Sequence, residues 1–241
     1  AVDVQKECLY VDTKGFSDRG VTWTVDFQKF DGPTEDFYGV WDRLAEYIEN
    51  TTFVADDGKK YKIAITLVDS GHYTDWVYAF CTRFTAGVYA CKGSDWIKNG
   101  ETYQLFNRKT LEAIGLPLAY HINTGKLKDR ISRAMNMLQW DEGTKQPDWF
   151  PNFPDNFHDD YFRMFEAEEK VEEYDKRTNK YIRTVWRAKP GAANHGFDTY
   201  VYNLAALEIF ADSICRNELQ GNMLDWSAFW NYAAYGMFMM D

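Results

Sequence analysis

The stretch Ile63-Ala-Ile-Thr-Leu-Val-Asp-Ser-Gly-His72 begins as an apolar run and ends on a carboxylate, Asp69, followed at once by a Ser-Gly turn. Residues 61–68 show no polar alternation beyond Thr66, which predicts a strand covered on both faces, as in the centre of an α/β sheet. Ligand-binding and catalytic groups in open α/β sheets gather outside the carboxyl ends of the strands. The stretch therefore predicts that Asp69 lies where chemistry takes place.

The rest of the chain predicts further elements of an α/β domain around this strand. Period-two alternation predicts three antiparallel strands before it, at residues 2–4, 9–11 and 21–27. In the third of them Val21, Trp23, Val25 and Phe27 alternate with polar residues, which is the period of a strand with its apolar side buried. Helical spacing of apolar residues predicts helices over residues 37–48, 75–83, 126–138 and from 198 onward. A short strand is predicted at residues 87–91 and a hairpin over residues 171–186. Thr34 is a possible N-cap of the first helix.

Composition limits the possible functions. A chain of 241 residues that is 45% hydrophobic and 17% aromatic can bury a sizeable core. A net charge of -10 disfavours nonspecific adhesion to nucleic acid or an anionic membrane, so DNA binding would need a local basic patch. The four cysteines lack CxxC spacing, which argues against a zinc site and a disulfide framework and favours a reducing cytosol. No apolar run approaches the length of a membrane span, which predicts a soluble protein.

Two other acids share the setting of Asp69. Asp3 lies between Val2 and Val4 in the first predicted strand, where a carboxylate is costly unless a cation or donors meet it. Asp198 begins an otherwise apolar helix. Three such acids could converge on a pair of divalent cations, and hard oxygen ligands favour Mg²⁺ or Mn²⁺ over Zn²⁺.

Each acid also has a purely structural explanation. Asp198 could be an N-cap, Asp69 could accept hydrogen bonds from turn amides, and Asp3 could face solvent on an edge strand. Taken singly, these explanations are favoured, because a chain with 37 acidic residues offers many such triples by chance. Composition and spacing alone leave the metal site open.

Several segments of the chain, in the same order, resemble the nuclease domain of bacteriophage terminase large subunits of the lambda-like kind. The main segments are Ala1-Val-Asp-Val-Gln5, Leu67-Val-Asp-Ser-Gly-His-Tyr-Thr-Asp-Trp-Val-Tyr-Ala-Phe-Cys81, Val88-Tyr-Ala-Cys-Lys-Gly93 and Phe197-Asp-Thr-Tyr-Val-Tyr-Asn-Leu-Ala-Ala-Leu207. Further similarity lies in Lys126-Leu-Lys-Asp-Arg130, Phe153-Pro, Tyr161-Phe and Glu166-Ala-Glu168. The resemblance covers most of residues 1–210 and implies an α/β, RNase H-like fold with a mixed central sheet flanked by helices.

The resemblance also implies a function. A chain of this kind is expected to be an endonuclease that cuts double-stranded DNA when viral genome packaging begins and ends. Asp3, Asp69 and Asp198 fall on the family's acidic positions and are expected to hold two divalent cations, Mg²⁺ or Mn²⁺. The terminase small subunit and the capsid portal are the expected partners of the full-length protein, and the host cell cytoplasm is its expected location.

The chain departs from the family's pattern in two ways. The segment Asn194-His-Gly-Phe197 places His195 where a Glu is expected, so the role of His195 at this position is open. No GxxxxGK[ST] phosphate loop occurs, although the packaging motor needs an ATPase domain. The chain is therefore interpreted as a nuclease domain over residues 1–220, with an ATPase domain expected upstream.

Basic residues are the candidates for DNA contact. Lys126, Lys128 and Arg130 form a cluster with Arg133, and Lys92 follows an apolar strand that should end near the active edge of the sheet. The alternative for the cluster is an ordinary solvated helix face. A second basic cluster in the hairpin is interleaved with acids, which favours a solvated face there.

Two other functions and one C-terminal question stay open at this point. An RNase H-like scaffold could serve only to dock DNA or a capsid component, or could belong to a resolvase or transposase-type nuclease. The retained acids favour catalysis, and the quoted segments favour a terminase. Residues 221–241 predict an apolar helix or tail, with Trp226, Phe229, Trp230, Ala233 and Met237 at helical spacing. This helix would pack on the chain's own core or dock to the portal.

Overall fold

The computed structural model describes residues 1–94, 97, 100–106, 109, 115–137, 140–141 and 143–234. The strands are β1 (Val2–Val4), β2 (Cys8–Phe16), β3 (Thr22–Asp31), β4 (Phe53–Val54), β5 (Lys60–Tyr61), β6 (Thr66–Asp69), β7 (Val88–Ser94), β8 (Tyr103–Leu105), β9 (Ala119–Asn123), β10 (Pro151–Asn152), β11 (Glu168–Tyr174) and β12 (Tyr181–Ala188). The α-helices are α1 (Val40–Asn50), α2 (Thr74–Cys81), α3 (Thr124–Met135), α4 (Asp159–Arg163), α5 (His195–Asn217) and α6 (Trp226–Ala234).

The central element is an eight-stranded mixed sheet in the order β10-β3-β2-β1-β6-β7-β9-β8. An antiparallel meander of β1, β2 and β3 is followed by parallel pairing of β1 with β6, of β6 with β7 and of β7 with β9. Helices cover both faces of this sheet. The predicted α/β class is confirmed, and the arrangement of a three-strand meander beside parallel strands agrees with an RNase H-like fold.

Side chains of successive strand residues point to opposite faces, and this alternation divides the core. Val2, Val4 and Val68 pack on the face covered by α1 and α2. Leu67 packs on the other face, against α3 and the long helix α5. Asp3 and Asp69 alternate with those valines, so both belong to the face on which α5 lies.

The decisive strand is shorter than its apolar run predicted. β6 begins at Thr66, whereas Lys60–Tyr61 pairs with Phe53–Val54 in a separate two-stranded ribbon. Ala64 is exposed although it is apolar. The part that is buried, with Leu67 and Val68 fully inaccessible, still ends on Asp69 as predicted. The apolar run therefore showed neither where burial begins nor where strand pairing begins.

Two local predictions were wrong. Thr34 does not cap α1, which begins at Val40; its hydroxyl instead donates to the Gln5 carbonyl oxygen at 2.8 Å. In the first half of β3 the buried side chains are Thr22 and Thr24, whereas the apolar residues that alternate with them, Trp23 and Val25, are 41% and 42% exposed. The polar side of β3 is buried because it faces other polar groups inside the protein.

A buried polar cluster lies between β2, β3 and α5. The ammonium of Lys14 lies 3.2 Å from Asp12 Oδ2, and both side chains are fully buried. Lys14 also donates to the Thr24 hydroxyl at 2.6 Å and lies 4.1 Å from the centroid of the Tyr200 ring. The hydroxyl of Thr199 donates to Asp12 Oδ2 at 3.2 Å. These contacts tie α5 to the antiparallel half of the sheet.

The C-terminal helix α6 packs against α5. Phe229 is 2% exposed and belongs to a small core with Leu207, Ala211 and Cys215. Within the described part of the apolar stripe, Phe229 is therefore covered by the chain's own core and Trp226, Trp230 and Ala233 are half-buried, whereas Met237 lies outside the described residues. No helix in the described part of the chain has both the length and the hydropathy needed to cross a bilayer.

The Lys14–Asp12 pair yields a prediction about stability. Lys14→Met leaves a buried carboxylate without its cation, so we expect the free energy of unfolding to fall by about 3–5 kcal/mol in urea titrations. Lys29→Met is the control, because it removes an exposed pair with Asp31 and should change stability little. Equal effects of the two substitutions would contradict a structural role for the buried cluster.

Candidate functional site

Three elements bring the predicted acids together. In the parallel pairing of β1 with β6, Val2 lies opposite Val68, so Asp3 and Asp69 are the next residues on adjacent strands. Neighbouring strands are about 4.8 Å apart, which places these two carboxylates side by side on one face. Asp198 lies in the first turn of α5, the helix that covers this face.

Of the three purely structural explanations for the acids, the structure excludes two and supports one in part. Asp3 does not lie on an edge strand, because β1 runs between β2 and β6, and its side chain is buried. Asp198 is not the N-cap of α5, because Asn194 holds that position. Asp69 does accept a hydrogen bond from the Gly71 backbone N–H, at 2.9 Å. This turn contact orients the Asp69 carboxylate and leaves it in the cluster.

Burial and mutual repulsion make the cluster electrostatically unusual. The pKa of Asp69 is raised to about 6: burial is the main cause, the Asp3 and Asp198 carboxylates add to it, and the Gly71 N–H and the Tyr202 hydroxyl act in the opposite direction. Burial also raises the pKa of Asp198, opposed by the Lys128 ammonium and reinforced by Glu168 and Asp3. The acids therefore experience one another's charge, as groups in a shared site do.

Asp3 is held by two neighbouring side chains. The Gln5 side-chain amide donates to both carboxylate oxygens, at 3.0 and 3.1 Å. His195 Nδ1 lies 2.6 Å from Asp3 Oδ2, and its ring stacks on Tyr10 with centroids 3.9 Å apart. His195, which stands where the family pattern has an acid, thus contacts the first predicted ligand. His72, the other histidine near an acid in the sequence, is exposed.

A fourth acid, Glu168, joins the cluster from the start of β11. Its side chain accepts a hydrogen bond from Asn194 Nδ2 at 2.7 Å, and the same nitrogen donates to Asp198 Oδ2 at 2.7 Å. The Lys128 ammonium lies 2.6 Å from Glu168 Oε1 and 2.9 Å from Asp198 Oδ1. The sequence analysis assigned no role to Glu168. The segment Glu166-Ala-Glu168, which is part of the resemblance to the terminase nuclease domain, could have identified it.

The predicted DNA-contacting residues are placed in different surroundings. Lys92 is exposed at the carboxyl edge of β7, one residue beyond the pairing of Cys91 with Asp69, and lines a cavity with Ser70 and His121. Lys92 and Asp69 therefore lie at the same edge of the sheet, on neighbouring strands, but the Lys92 side chain belongs to the face covered by α2, because Lys92 follows Cys91, the partner of Asp69.

The residues of α3 do not form one basic face. Lys126 is exposed and donates to the Gly100 carbonyl oxygen at 2.6 Å. Lys128 is buried in the acidic cluster, and Arg130 pairs with Glu208. DNA contact by these three residues stays a prediction, and two of the three are already engaged with carboxylates of this chain.

A family model described as the endonuclease domain of the terminase large subunit gpA matches residues 1–216. The chain belongs to this family. Searches of curated proteins and of solved structures gave no match. Membership makes the chain a terminase large subunit endonuclease domain, with DNA as its substrate class, and its acidic cluster is the candidate active centre.

The donor chemistry of this terminase cluster suits a hard divalent cation. Asp69 and Asp198 are half-buried, their pKa values are raised by burial and by neighbouring carboxylates, and together with Asp3 they form a concentration of negative charge that a cation would relieve. Within the residues the structure describes, no three His, Cys, Asp or Glu side chains already form a set of ligands for one ion. Each carboxylate is turned toward donors of its own, namely Gln5 and His195, Gly71 and Tyr202, or Lys128 and Asn194.

The raised pKa of Asp69 yields a prediction for the terminase domain in EDTA. Its pKa is about 6 in the folded chain against a reference value of 3.8, so the native state favours the protonated form. This stabilisation is present below the lower pKa and is lost as the pH rises through the upper one. We expect wild type to lose about 2–3 kcal/mol relative to Asp69→Asn between about pH 4 and pH 7.

Urea unfolding of both proteins across this pH range measures the difference. Asp75→Asn, which changes an exposed acid in the first turn of α2, is the control and should track wild type at every pH. A constant difference between wild type and Asp69→Asn would show that Asp69 does not titrate in this window.

Proposed function

We propose that this chain is a metal-dependent endonuclease domain that cleaves double-stranded DNA during viral genome packaging, by two-metal phosphodiester hydrolysis. Family membership supports the nuclease activity. The observation that carries the metal dependence is the placement of Asp3 and Asp69 on adjacent strands beneath Asp198. Buried carboxylates at the carboxyl edge of a sheet supply the oxygen ligands that Mg²⁺ and Mn²⁺ prefer.

The residues of the chain have separable tasks in this proposal. Asp3, Asp69 and Asp198 would hold the cations. When bound, two such cations activate a water and stabilise the attacking and leaving oxygens of an in-line displacement. His195 and Asn194 orient the Asp3 and Asp198 carboxylates through their hydrogen bonds, as outer partners of metal ligands commonly do.

Access of DNA requires local positive charge on a chain whose net charge is -10. Lys92 is the strongest candidate, because it is exposed and lies on the strand next to Asp69, at the same edge of the sheet. Lys126 is exposed at the start of α3 and is a second candidate for phosphate contact. The DNA backbone would therefore cross the carboxyl edge of β6 and β7.

Metal-dependent cleavage is the first test of this function. The purified chain should nick or linearise supercoiled plasmid in Mg²⁺ or Mn²⁺ and should be inactive in EDTA. Loss of an outer partner of a metal ligand costs about 10–100-fold, so Asp69→Asn, which alters a proposed ligand itself, should lose more than about 100-fold. Asp75→Asn is the matched control, because Asp75 is exposed nearby in the chain and should leave cleavage intact.

The result separates the proposed function from its alternative. Full cleavage by Asp69→Asn would refute the assignment of the active centre. A wild-type chain that binds plasmid but never cuts it, with either cation, would instead indicate a catalytically silent docking module. Circular dichroism of each variant shows whether a loss of activity reflects a loss of fold.

Phosphate contact by Lys92 is tested by salt dependence. Each neutralised phosphate contributes about 0.9 to the slope of log affinity against log salt on duplex DNA. Lys92→Ala should therefore weaken binding to a duplex of any sequence and reduce the slope by about one. Lys59→Ala, which changes an exposed lysine paired with Asp57, is the control. An unchanged slope for Lys92→Ala would exclude the contact.

The remaining expectations concern the longer protein. We propose that the longer protein carries an ATPase domain upstream of this chain. We propose the terminase small subunit and the capsid portal as its partners and the host cell cytoplasm as its location. The burial of Phe229 supports a core role for the described part of α6 rather than a portal contact. Surface plasmon resonance of this chain against purified portal and small subunit tests whether it binds them. If neither binds, their contacts lie outside this chain.

A further inference from the structure

We propose that the ammonium of Lys128 is a built-in counter-ion of the acidic cluster, which a divalent cation must displace from Asp198 and Glu168 before the site is fully loaded. This inference rests on the proposed metal-dependent function and deepens it. It assigns to Lys128 the control of cation affinity at one half of the cluster.

The geometry places one positive charge between two carboxylates. Lys128 Nζ lies 2.6 Å from Glu168 Oε1 and 2.9 Å from Asp198 Oδ1, and the lysine and glutamate side chains are 8% and 5% exposed. The ammonium also lies 5.2 Å from the centroid of the Phe197 ring. Asn194 connects the same two carboxylates from its own side chain. The ammonium thus occupies a position between two oxygen ligands, where a metal ion would otherwise bind.

Burial and charge show that this is a stable pairing rather than a passing contact. The ammonium contacts both carboxylates directly, and their negative charges match its positive charge in a buried setting where an unpaired lysine would be strongly unfavourable. Without it, two carboxylates would face each other in a buried setting, which is strongly unfavourable.

The other half of the cluster is held differently. Asp3 is contacted by Gln5 and His195, and Asp69 by the Gly71 N–H and the Tyr202 hydroxyl. In the described part of the chain, the salt bridges of lysine and arginine include none to Asp3 or Asp69. A cation approaching Asp3 and Asp69 therefore meets no competing lysine, whereas one approaching Asp198 must displace an ammonium.

Unequal cation binding follows from this difference. The first cation should bind tightly at Asp3 and Asp69, and the second should bind weakly, because its binding free energy is reduced by the lost Lys128 contacts. A lysine suits such a role, because its charge is a compact ammonium on a flexible stem of four carbons that can turn aside. Lys128 would then stabilise the metal-free fold and keep the site incompletely loaded at low cation concentration.

Calorimetric titration with Mn²⁺ alone, in the absence of DNA, tests this proposal. Wild type should bind one Mn²⁺ tightly and a second weakly. In Lys128→Met the weaker affinity should rise by about 10-fold or more, because the competitor is gone. Lys145→Met is the control, since it removes an exposed lysine paired with Asp18 and should bind as wild type does.

Thermal unfolding gives a second readout. In EDTA, Lys128→Met should melt below wild type, because Asp198 and Glu168 are left without a cation. In Mn²⁺ it should recover, so that its rise in Tm exceeds the wild-type rise. If Lys128→Met does not fold in EDTA, Lys128→Gln keeps a polar side chain that can donate to either carboxylate but carries no charge, and its weaker Mn²⁺ affinity should still exceed that of wild type.

The possible failures are distinguishable. Mn²⁺ affinities and a Tm increment in Lys128→Met equal to those of wild type would overturn the counter-ion role and leave the metal-dependent nuclease intact. The same holds if the weaker affinity falls in Lys128→Met. No Mn²⁺ binding by wild type or by Lys128→Met would overturn the proposed metal dependence itself, and the counter-ion role with it.

Discussion

The pairing of β1 with β6 is the constraint on which the candidate centre depends. Because Val2 lies opposite Val68, the next residue on each strand, Asp3 and Asp69, lies on the same face and at the same height. A shift of one residue would turn one carboxylate toward the apolar face under α1 and α2. The valines that pack on that face therefore keep the acids on the other, and the hydrophobic core positions the chemistry.

Gathering carboxylates in a buried place is unfavourable, and the surrounding residues offset this cost. Lys128, Asn194 and His195 each contact an acid of the cluster, and all three come from helices or helix ends on the α5 side of the sheet. A second buried pair, Asp12 with Lys14 on β2, contacts the same helix through the Thr199 hydroxyl and the Tyr200 ring. Polar contacts at two positions along the long helix, together with apolar packing, therefore hold Asp198 over the strands.

Much of the fold could be predicted, because it depends on local patterns. The three-strand meander and the buried strand that ends on Asp69 follow from alternation and apolar runs, whereas the hairpin of β11 with β12 was predicted with poor alternation, around a turn at residues 177–179. The buried side of β3 could not be predicted in this way. Thr22 and Thr24 are buried because they face a polar cluster, and a strand's own sequence does not show what lies opposite it.

The sequence by itself determined the family, the sheet and three acids at the ends of buried elements, because motif wording and periodicity are local properties of the chain. Only the tertiary structure decided that Glu168 joins those acids and that Lys128 turns inward instead of outward. Both residues lie in polar segments where a charged side chain ordinarily faces solvent. Their burial results from contacts between β11, α3 and α5, which are distant in sequence and meet only when the chain has folded.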